Sequence, residues 1–278
     1  MKGLSTEQYR KELELKQALR SIVRFSRIDE YDPYPYQQKF HKTGSEANQR
    51  LLMAANRIGK SFSGAAEMSY HLTGLYPDWW EGRRYDKPIT AWAGGVSNET
   101  TRDIVQYELL GSPDDPDAFG SGAIPKSKII KTERKPGVPN AKSVALIQHV
   151  TGGNSSLHFK AYEMGVDKWQ GRSVDCIWLD EEPSRELYSQ AVTRTLDRKG
   201  MVYMTFTPES GMTETVASFM NNLQPGQSLT NATWDDASEA VTSMKGNSGH
   251  LNESVMAQIL SSYSPHEREM RRYGRPSI

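Results

Sequence analysis

The stretch Leu51-Leu52-Met53-Ala54-Ala55-Asn56-Arg57-Ile58-Gly59-Lys60-Ser61 restricts the possible folds more than any other part of the chain. A short apolar run leads into a polar turn, then Gly-Lys-Ser, then the small-residue segment Ser63-Gly64-Ala65-Ala66-Glu67. That order spells a strand, a loop and a helix N-terminus, the arrangement in which backbone N–H groups wrap a di- or triphosphate. In such a loop Lys60 reaches the β and γ oxygens and Ser61 holds Mg²⁺. The usual pattern opens with Gly, where this chain has Ala54, and a bare Gly-Lys-Ser arises often by chance. Taken alone, the stretch leaves nucleotide binding open.

Composition narrows the alternatives. A chain of 278 residues can bury a sizeable core, as one large domain or as a domain with a smaller partner. Hydrophobic residues at 36% and charged residues at 24% exclude a disordered chain. No apolar run approaches a membrane span, and Met1-Lys2-Gly3-Leu4-Ser5 opens a charged helix and not a signal peptide, so no membrane association is expected. Cys176 is the only cysteine, which rules out a disulfide within the chain and suggests a reducing compartment. The six histidines show no ligand spacing, and no zinc site is expected. With 34 basic and 34 acidic residues the net charge is zero, so contact with nucleic acid would need local basic patches or several copies presenting one face.

Ser5-Thr6-Glu7-Gln8 reads as a capping box for a helix running to about Ile28. Tyr9, Leu13, Leu15, Leu19, Ile22, Val23 and Phe25 give it a rough apolar stripe, with a solvated polar face. In Asp32-Pro33-Tyr34-Pro35-Tyr36-Gln37-Gln38-Lys39-Phe40 the two prolines predict an extended, aromatic-rich connector. There Gln37 either forks onto an adenine edge or belongs to a Pro-aromatic turn clamped to the core. After the loop, residues 88–95 read as a buried strand and Ser97 caps a helix from Asn98 to about Leu110. The alternation points to a parallel sheet with crossover helices. Residues 111–139 read as a surface excursion whose second half carries Lys126, Lys128, Lys131, Arg134 and Lys135. This cluster is either a solvated charged loop or a contact for phosphates. Two strands at 144–147 and 156–162 follow, joined by the hairpin chemistry of Thr151-Gly152-Gly153-Asn154.

The second piece of chemistry is Val174-Asp175-Cys176-Ile177-Trp178-Leu179-Asp180-Glu181-Glu182-Pro183, an apolar strand that stops abruptly in acids, with the proline starting the next helix. A phosphate loop needs a carboxylate beside its hydroxyl to bind Mg²⁺, and Asp180 is placed for that. Glu181 beside it can polarise a water for in-line attack. The competing reading, acids favouring a helix dipole, weakens once Gly59-Lys60-Ser61 is taken into account, and the Asp-Glu pair favours a hydrolase over a kinase. Residues 201–208 form a third strand with a polar end, which puts Thr205 and Thr207 on the same sheet edge to sense the γ-phosphate. A plain β-branched strand with a proline stop is the alternative.

Together these residues resemble the large terminase subunits of tailed bacteriophages, the ATPase motors that pump viral DNA into the procapsid. The resemblance covers almost the whole chain. It rests on Tyr34-Pro35-Tyr36-Gln37 as an adenine motif, Asn56-Arg57-Ile58-Gly59-Lys60-Ser61 as an Arg-bearing Walker A, Trp178-Leu179-Asp180-Glu181-Glu182-Pro183 as Walker B and Thr205-Phe206-Thr207-Pro208 as a coupling motif. Residues 232–237 and 265–271 also have the family's look. The resemblance implies an α/β fold, an additional-strand (RecA-like) P-loop NTPase with a mostly parallel central sheet flanked by helices, plus a small lid subdomain. It divides the chain into an N-terminal helical arm at 1–32 that is part of the lid, an ATPase core at 33–218, and a C-terminal lid or linker segment at 219–278. It implies ATP and Mg²⁺ as cofactors. Its partners would be double-stranded DNA, the portal protein, the small terminase subunit and further copies in a ring on the portal, with a monomer expected in isolation. The location would be the host cytoplasm and, transiently, the procapsid, but not the mature virion. The family also carries a C-terminal RNase H-like nuclease. Ile278 falls where that would begin and no spaced set of acids substitutes for it, so a motor domain without nuclease activity is expected.

In some relatives an arginine before the glycine upstream of Walker B reaches into the neighbouring subunit's pocket. Here Gln170 precedes Gly171 and Arg172 follows, making Arg172 the candidate, with a structural salt bridge as the alternative. Arg57 is set to touch the γ-phosphate, in cis or as a sensor. The expected catalytic residues are thus Glu181, Lys60, Arg57 and Arg172. Gln37, Asn56, Arg57, Ile58, Gly59, Lys60, Ser61, Phe62, Asp180, Thr205 and Thr207 would bind nucleotide, and Ser61 and Asp180 the metal. The Lys126–Lys135 segment and Arg268, Arg271, Arg272 and Arg275 are candidates for DNA or subunit contacts. Two other functions stay in view. A helicase-like ATPase would need a second motor domain, for which too few residues follow Pro208. A docking module binding nucleotide without turnover is opposed by intact Lys60, Asp180 and Glu181.

Overall fold

A computed structural model describes residues 6–276 and gathers the apolar runs into one sheet. Its strands are β1 (Gln49–Ala54), β2 (Thr90–Gly95), β3 (Ile129–Arg134), β4 (Lys142–Gln148), β5 (Asn154–Ala161), β6 (Cys176–Asp180), β7 (Met201–Phe206) and β8 (Gln227–Ala232). They lie in the order β3-β4-β5-β2-β6-β7-β1-β8. From β5 to β8 every pairing is parallel, while β3-β4 and β4-β5 are antiparallel. The strand β7 separates β1 from β6, so an additional strand stands between the two motif-bearing strands, and the mostly parallel α/β sheet expected from the sequence is present. Central parallel strands are covered on both faces, which is why they read as unbroken apolar runs. Leu51, Leu52, Met53, Ile177, Trp178, Leu179, Val202, Tyr203 and Met204 are all at most 1% exposed.

The two faces carry separate cores. Leu52, Trp178, Tyr203 and Phe159 pack with Phe40, Met68, Leu72 and Leu109 from the helices Pro35–Lys42 and Lys60–Thr73 and the helical segment 98–110. Leu51, Met53, Trp92, Ile177, Val202 and Met204 pack with Leu187, Ala191, Val216 and Phe219 from the helices Arg185–Leu196 and Glu214–Asn221. The helix Lys60–Thr73 lies flush on β6 because Gly64 has no side chain. A Cβ there would stand 2.4 Å from Trp178 Cε2. The Tyr203 hydroxyl donates to the Gly64 carbonyl at 2.8 Å. Farther along this helix, buried Glu67 meets Arg50, His41 Nδ1 at 2.7 Å and His71 Nε2 at 3.2 Å. Burial opposes its charge, yet Arg50 and the two histidines hold the carboxyl well below the usual range. The ion cluster ties the helix to β1 through Arg50 and to the helix Pro35–Lys42 through His41.

Four local expectations need correction. The stretch 33–40 is not extended throughout, because Pro35 opens a helix, where its missing N–H costs nothing. The cation-rich half of 111–139 is not a loop but contains β3, an edge strand whose two faces are mostly wet and so lack an apolar signature. The helix after Walker B begins at Arg185, capped by the Ser184 hydroxyl, and not at Pro183. The first helix spans Thr6–Arg24, followed by a 3₁₀ turn at Arg27–Glu30, and its stripe of Tyr9, Leu13, Leu15, Leu19, Ile22 and Val23 is exposed. Ser5, its expected cap, lies outside the described residues. Among the described residues no helix is long and apolar enough to cross a membrane.

Candidate active site

Parallel strands deliver the polar residues at their carboxyl ends to one edge of the sheet. Here β1 runs into the loop 55–59, β6 ends in Asp180 and β7 leads through Phe206 to Thr207. The loop's shape is set by two left-handed residues, Arg57 at φ 63° and Gly59 at φ 93°, and by the anchor Ile58, which is fully buried. Glycine takes that conformation without steric cost, whereas Arg57 is held in it. Arg57 is exposed and its side chain has no partner among the described residues. Lys60, the first residue of the helix, points its ammonium back to Asn56 Oδ1 at 3.4 Å.

Asp180 is the hub of the cluster and is almost wholly buried. Its Oδ1 accepts from the Thr205 hydroxyl at 2.7 Å, and that hydroxyl accepts from Trp178 Nε1 at 2.8 Å. Its Oδ2 faces the Ser61 hydroxyl at 3.3 Å. Burial raises the Asp180 carboxyl, against the pull of Thr205, Lys60 and Ser61. The neighbouring Glu181 sits at φ 66°, a turn braced by its N–H donating to the Thr205 carbonyl at 3.0 Å. The Tyr162 hydroxyl stands 2.9 Å from the carbonyls of both Asp180 and Glu181. Burial, then the adjacent Asp180, pushes the Glu181 carboxyl up to about 7. The Ser61 hydroxyl and Asp180 Oδ2 form a pair of hard oxygen donors at the loop's mouth, which fits Mg²⁺. Among the described residues no three His, Cys, Asp or Glu side chains form a closed metal cage. A metal at this pair would therefore draw its remaining ligands from phosphate and water, as Mg²⁺ prefers.

Thr207 lies 2.7 Å from the Ala54 carbonyl and 2.6 Å from Asn56 Oδ1, so the coupling strand touches the loop directly. Gln37 is 4% exposed and its amide is engaged within the protein. Its Oε1 accepts from Tyr34 N at 2.8 Å, while Nε2 donates to Ser63 Oγ at 2.7 Å and to the Gly59 carbonyl at 3.3 Å. The forked contact to adenine anticipated for Gln37 has no free N–H to supply its donor half. One lone pair of Oε1 remains. Gln37, Tyr34, Ile58, Gly59, Phe62 and His250 do line a common cleft of about 310 Å³ beside the loop. A larger hollow of about 900 Å³, between the turn Trp234–Ala237 and the helix Glu253–Ser261, contains none of the loop's groups.

Arg172 is not brought to this cluster. It is exposed in the segment that enters β6, at the strand end opposite Asp180. Five residues at roughly 3.3 Å each put it about 16 Å from the acids, beyond reach within one chain. It forms no salt bridge among the described residues, so the structural alternative is not realised.

Several contacts were not anticipated. Glu209 Oε1 accepts from Asn56 Nδ2 at 3.3 Å and from Arg271 Nη1 at 2.8 Å, and the Asn56 N–H donates to the Arg271 carbonyl at 3.2 Å. Trp234 Nε1 donates to the Asn56 carbonyl at 2.9 Å. His250 Nε2 meets the Arg57 carbonyl at 2.8 Å while its Nδ1 takes the Tyr34 hydroxyl at 2.9 Å. The loop is thus clasped by four segments that follow β7, at Glu209, Trp234, His250 and Arg271. Glu209 directly follows Thr207-Pro208, and Trp234 and Arg271 fall in the stretches 232–237 and 265–271 that carry the family's look. Arg271, a candidate for DNA or subunit contacts, is instead engaged at the loop by Glu209 and Asn56, and His250 arrives by long-range folding alone.

Comparison with known proteins places the chain in a family and a fold. The family model described as "Terminase large subunit, T4likevirus-type, N-terminal" matches residues 51–277. The large terminase subunit of Salmonella phage P22 is 34% identical over 293 residues, covering 99% of this chain and 56% of that protein. The corresponding protein of Enterobacteria phage LP7 is 23% identical over 291 residues, covering 99% of this chain and 58% of its own length. The chain therefore spans just over half the length of these relatives. A solved large terminase from a thermophilic bacteriophage matches with a TM-score of 0.58 at 13% identity, over 88% of this chain and 53% of that one. The complex of that phage's terminase with ADP matches with the same TM-score at 11% identity, over 85% and 52%. These structural matches show the fold.

Proposed function

This chain belongs to the terminase large-subunit family, T4-like type, N-terminal region, and from that membership we propose that it hydrolyses ATP with Mg²⁺ to drive double-stranded DNA into a procapsid. The observation that carries the reading is the convergence at one sheet edge of Lys60, Ser61, Asp180 and Glu181, with Asp180 bonded to Thr205 and facing Ser61. Phosphoryl transfer asks the protein mainly for positioning and charge stabilisation, and each residue has a part in that.

Backbone N–H groups from Arg57 to Phe62 cradle the phosphates, the Asn56 N–H being held by the Arg271 carbonyl. Lys60 leaves Asn56 for the β and γ oxygens, and Arg57, whose side chain has no partner among the described residues, supplies a second cation to the γ-phosphate. Ser61 and Asp180 would hold Mg²⁺, whose charge offsets that of the phosphates. Glu181 orients a water and takes its proton as the water oxygen attacks the γ phosphorus and the bond to the β–γ bridging oxygen breaks. A carboxyl that titrates near 7 suits this base, because a stronger proton acceptor is more effective while still largely ionised just above neutrality. Thr205 and Thr207 pass the loss of the γ-phosphate on, Thr205 through Asp180 and Thr207 through Asn56. Gln37 offers the remaining lone pair of Oε1 to the adenine amino group. Arg172, being exposed and remote, would act only on a neighbouring copy. The portal, the small subunit and a ring of copies are the partners this reading carries from the family.

Phosphate release from Mg²⁺-ATP by the purified chain tests the proposal. Glu181→Ala should abolish turnover yet keep nucleotide binding. An active Glu181→Ala variant would remove Glu181 from the chemistry.

A further inference from the structure

Directly paired residues of neighbouring strands share a face of the sheet. The pairings Trp92↔His158, His158↔Val144 and Val144↔Glu133 carry the Trp92 face outward across β5, β4 and β3, and Lys131↔Leu146 lies on it as well. Beyond Trp92 and Trp169 that face changes character. Over β6, β7 and β1 it is fully buried beneath helices, whereas Lys131, Glu133, Val144, Leu146, His158 and Lys160 are half-buried or exposed.

The open wing is rich in cations. Lys131 and Lys160 rise from the strands, Lys135 follows β3, and Lys168 comes from the turn before β6. The Lys160 ammonium lies 4.1 Å from the centre of the Trp92 ring and 5.7 Å from that of Trp169, and it donates to the Lys168 carbonyl. The Lys135 ammonium is set against Met164 Sδ at 3.4 Å. Among the described residues neither Lys135, Lys160 nor Lys168 has a carboxylate partner. Glu163 and Glu99 act on Lys135 only from beyond ion-pair distance, and two of the nearby acids are engaged elsewhere. Glu133 pairs with Lys131 at 3.4 Å, and Glu163 accepts from the backbone and side chain of Asn98 at 2.7 and 2.5 Å. Burial, then Lys135 and Lys168, depresses the Lys160 ammonium, so like charges are held together at a cost that an anion would relieve. The surface is an open sheet face and not a closed pocket, and β3 to β5 alone span about 10 Å. That shape suits a strand of phosphates better than a single small anion, since duplex DNA presents a charge roughly every 1.7 Å along its axis.

We propose that the open face of β3, β4 and β5 binds the phosphate backbone of duplex DNA through Lys131, Lys135, Lys160 and Lys168. The choice of DNA as the polyanion rests on the packaging function proposed above. Arg172, close enough to act on His158, borders the face and is left unaltered in the test because an action on a neighbouring copy's site is proposed for it.

Binding of a short fluorescent duplex, followed by anisotropy across a salt series, tests the assignment on the whole chain. Lys135→Gln/Lys168→Gln should weaken binding by about tenfold per lysine near 0.1 M salt and flatten the salt slope by about 0.9 per lost contact. Lys131→Gln/Lys168→Gln, which alters only exposed side chains, repeats the test without touching the packed Lys135. ATP hydrolysis without DNA should stay at the wild-type rate in both variants. Unchanged DNA affinity and slope in both variants would overturn the surface while leaving the ATPase reading intact. Loss of self-association in sedimentation, with DNA binding unchanged, would make the face a contact between copies and equally overturn it. Wild-type chain that hydrolyses ATP but binds no duplex would refute the DNA assignment alone. Absence of hydrolysis would instead strike the proposed function.

Discussion

Glu181→Gln is expected to slow phosphate release and also to stabilise the fold, with pH separating the two effects. The carboxyl is raised from an ordinary 4.5 to about 7, chiefly by burial and by Asp180. At 1.36 kcal/mol per pH unit, ionising it in the folded chain costs about 3 kcal/mol, an upper figure because solvent partly screens it. Between pH 4.5 and 7 the folded chain keeps a proton that the unfolded chain has lost. The stability attached to this group is therefore complete below pH 4.5, falls as pH rises, and is lost above about 7. Glutamine carries no such titration. Urea unfolding followed by tryptophan fluorescence should give the variant and wild type nearly equal stability near pH 4.5. At pH 8 the variant should be more stable by about 2–3 kcal/mol, while phosphate release falls by about 10²- to 10⁴-fold. A variant that retains turnover, or whose stability difference does not change with pH, would refute the view of Glu181 as a buried base.

Three further outcomes follow from the same geometry. The acid limb of kcat/KM should rise with pH through about 7 in the wild type as Glu181 deprotonates, and a limb that stays flat from pH 6 to 8 would point to another base. Thr205→Val leaves Trp178 Nε1 and Asp180 Oδ1 without their shared partner, and should lower the unfolding free energy by about 2–3 kcal/mol in urea titration. Gly64→Ala forces a methyl against Trp178 and should cost about 1–3 kcal/mol despite alanine's better helix propensity, again read from the urea midpoint.

The chemistry was legible where a strand ended abruptly in polar residues. Leu51 to Ser61, Trp178 to Pro183 and Thr205 to Pro208 each pair an apolar run with a functional stop, and a parallel sheet brings such stops to one edge. What escaped had no periodic signal. The strand β3 is an edge strand with mostly wet faces, so Lys131 and Arg134 read as loop charges. Pro35 reads as a breaker, yet proline also begins helices, and only the packing of Tyr36, Gln37 and Phe40 decides which. Gln37 could not be known to be saturated, since its partners Ser63 and Gly59 lie more than twenty residues away. His250, Trp234 and Arg271 reach the loop from segments well over a hundred residues beyond it, and nothing local marks that meeting.

Calorimetric titration of Mg²⁺-ATP into the wild-type chain, Lys60→Ala and Arg172→Ala tests the central claim most directly, because it does not depend on a ring partner for turnover. Wild-type chain should bind one nucleotide, and Lys60→Ala should bind at least about tenfold more weakly, a loss of about 1.4 kcal/mol. Arg172→Ala should bind as the wild type does, since Arg172 lies at the opposite end of β6. Equal affinity in wild type and Lys60→Ala, or no binding by the wild type, would contradict a nucleotide site at Asn56 to Phe62.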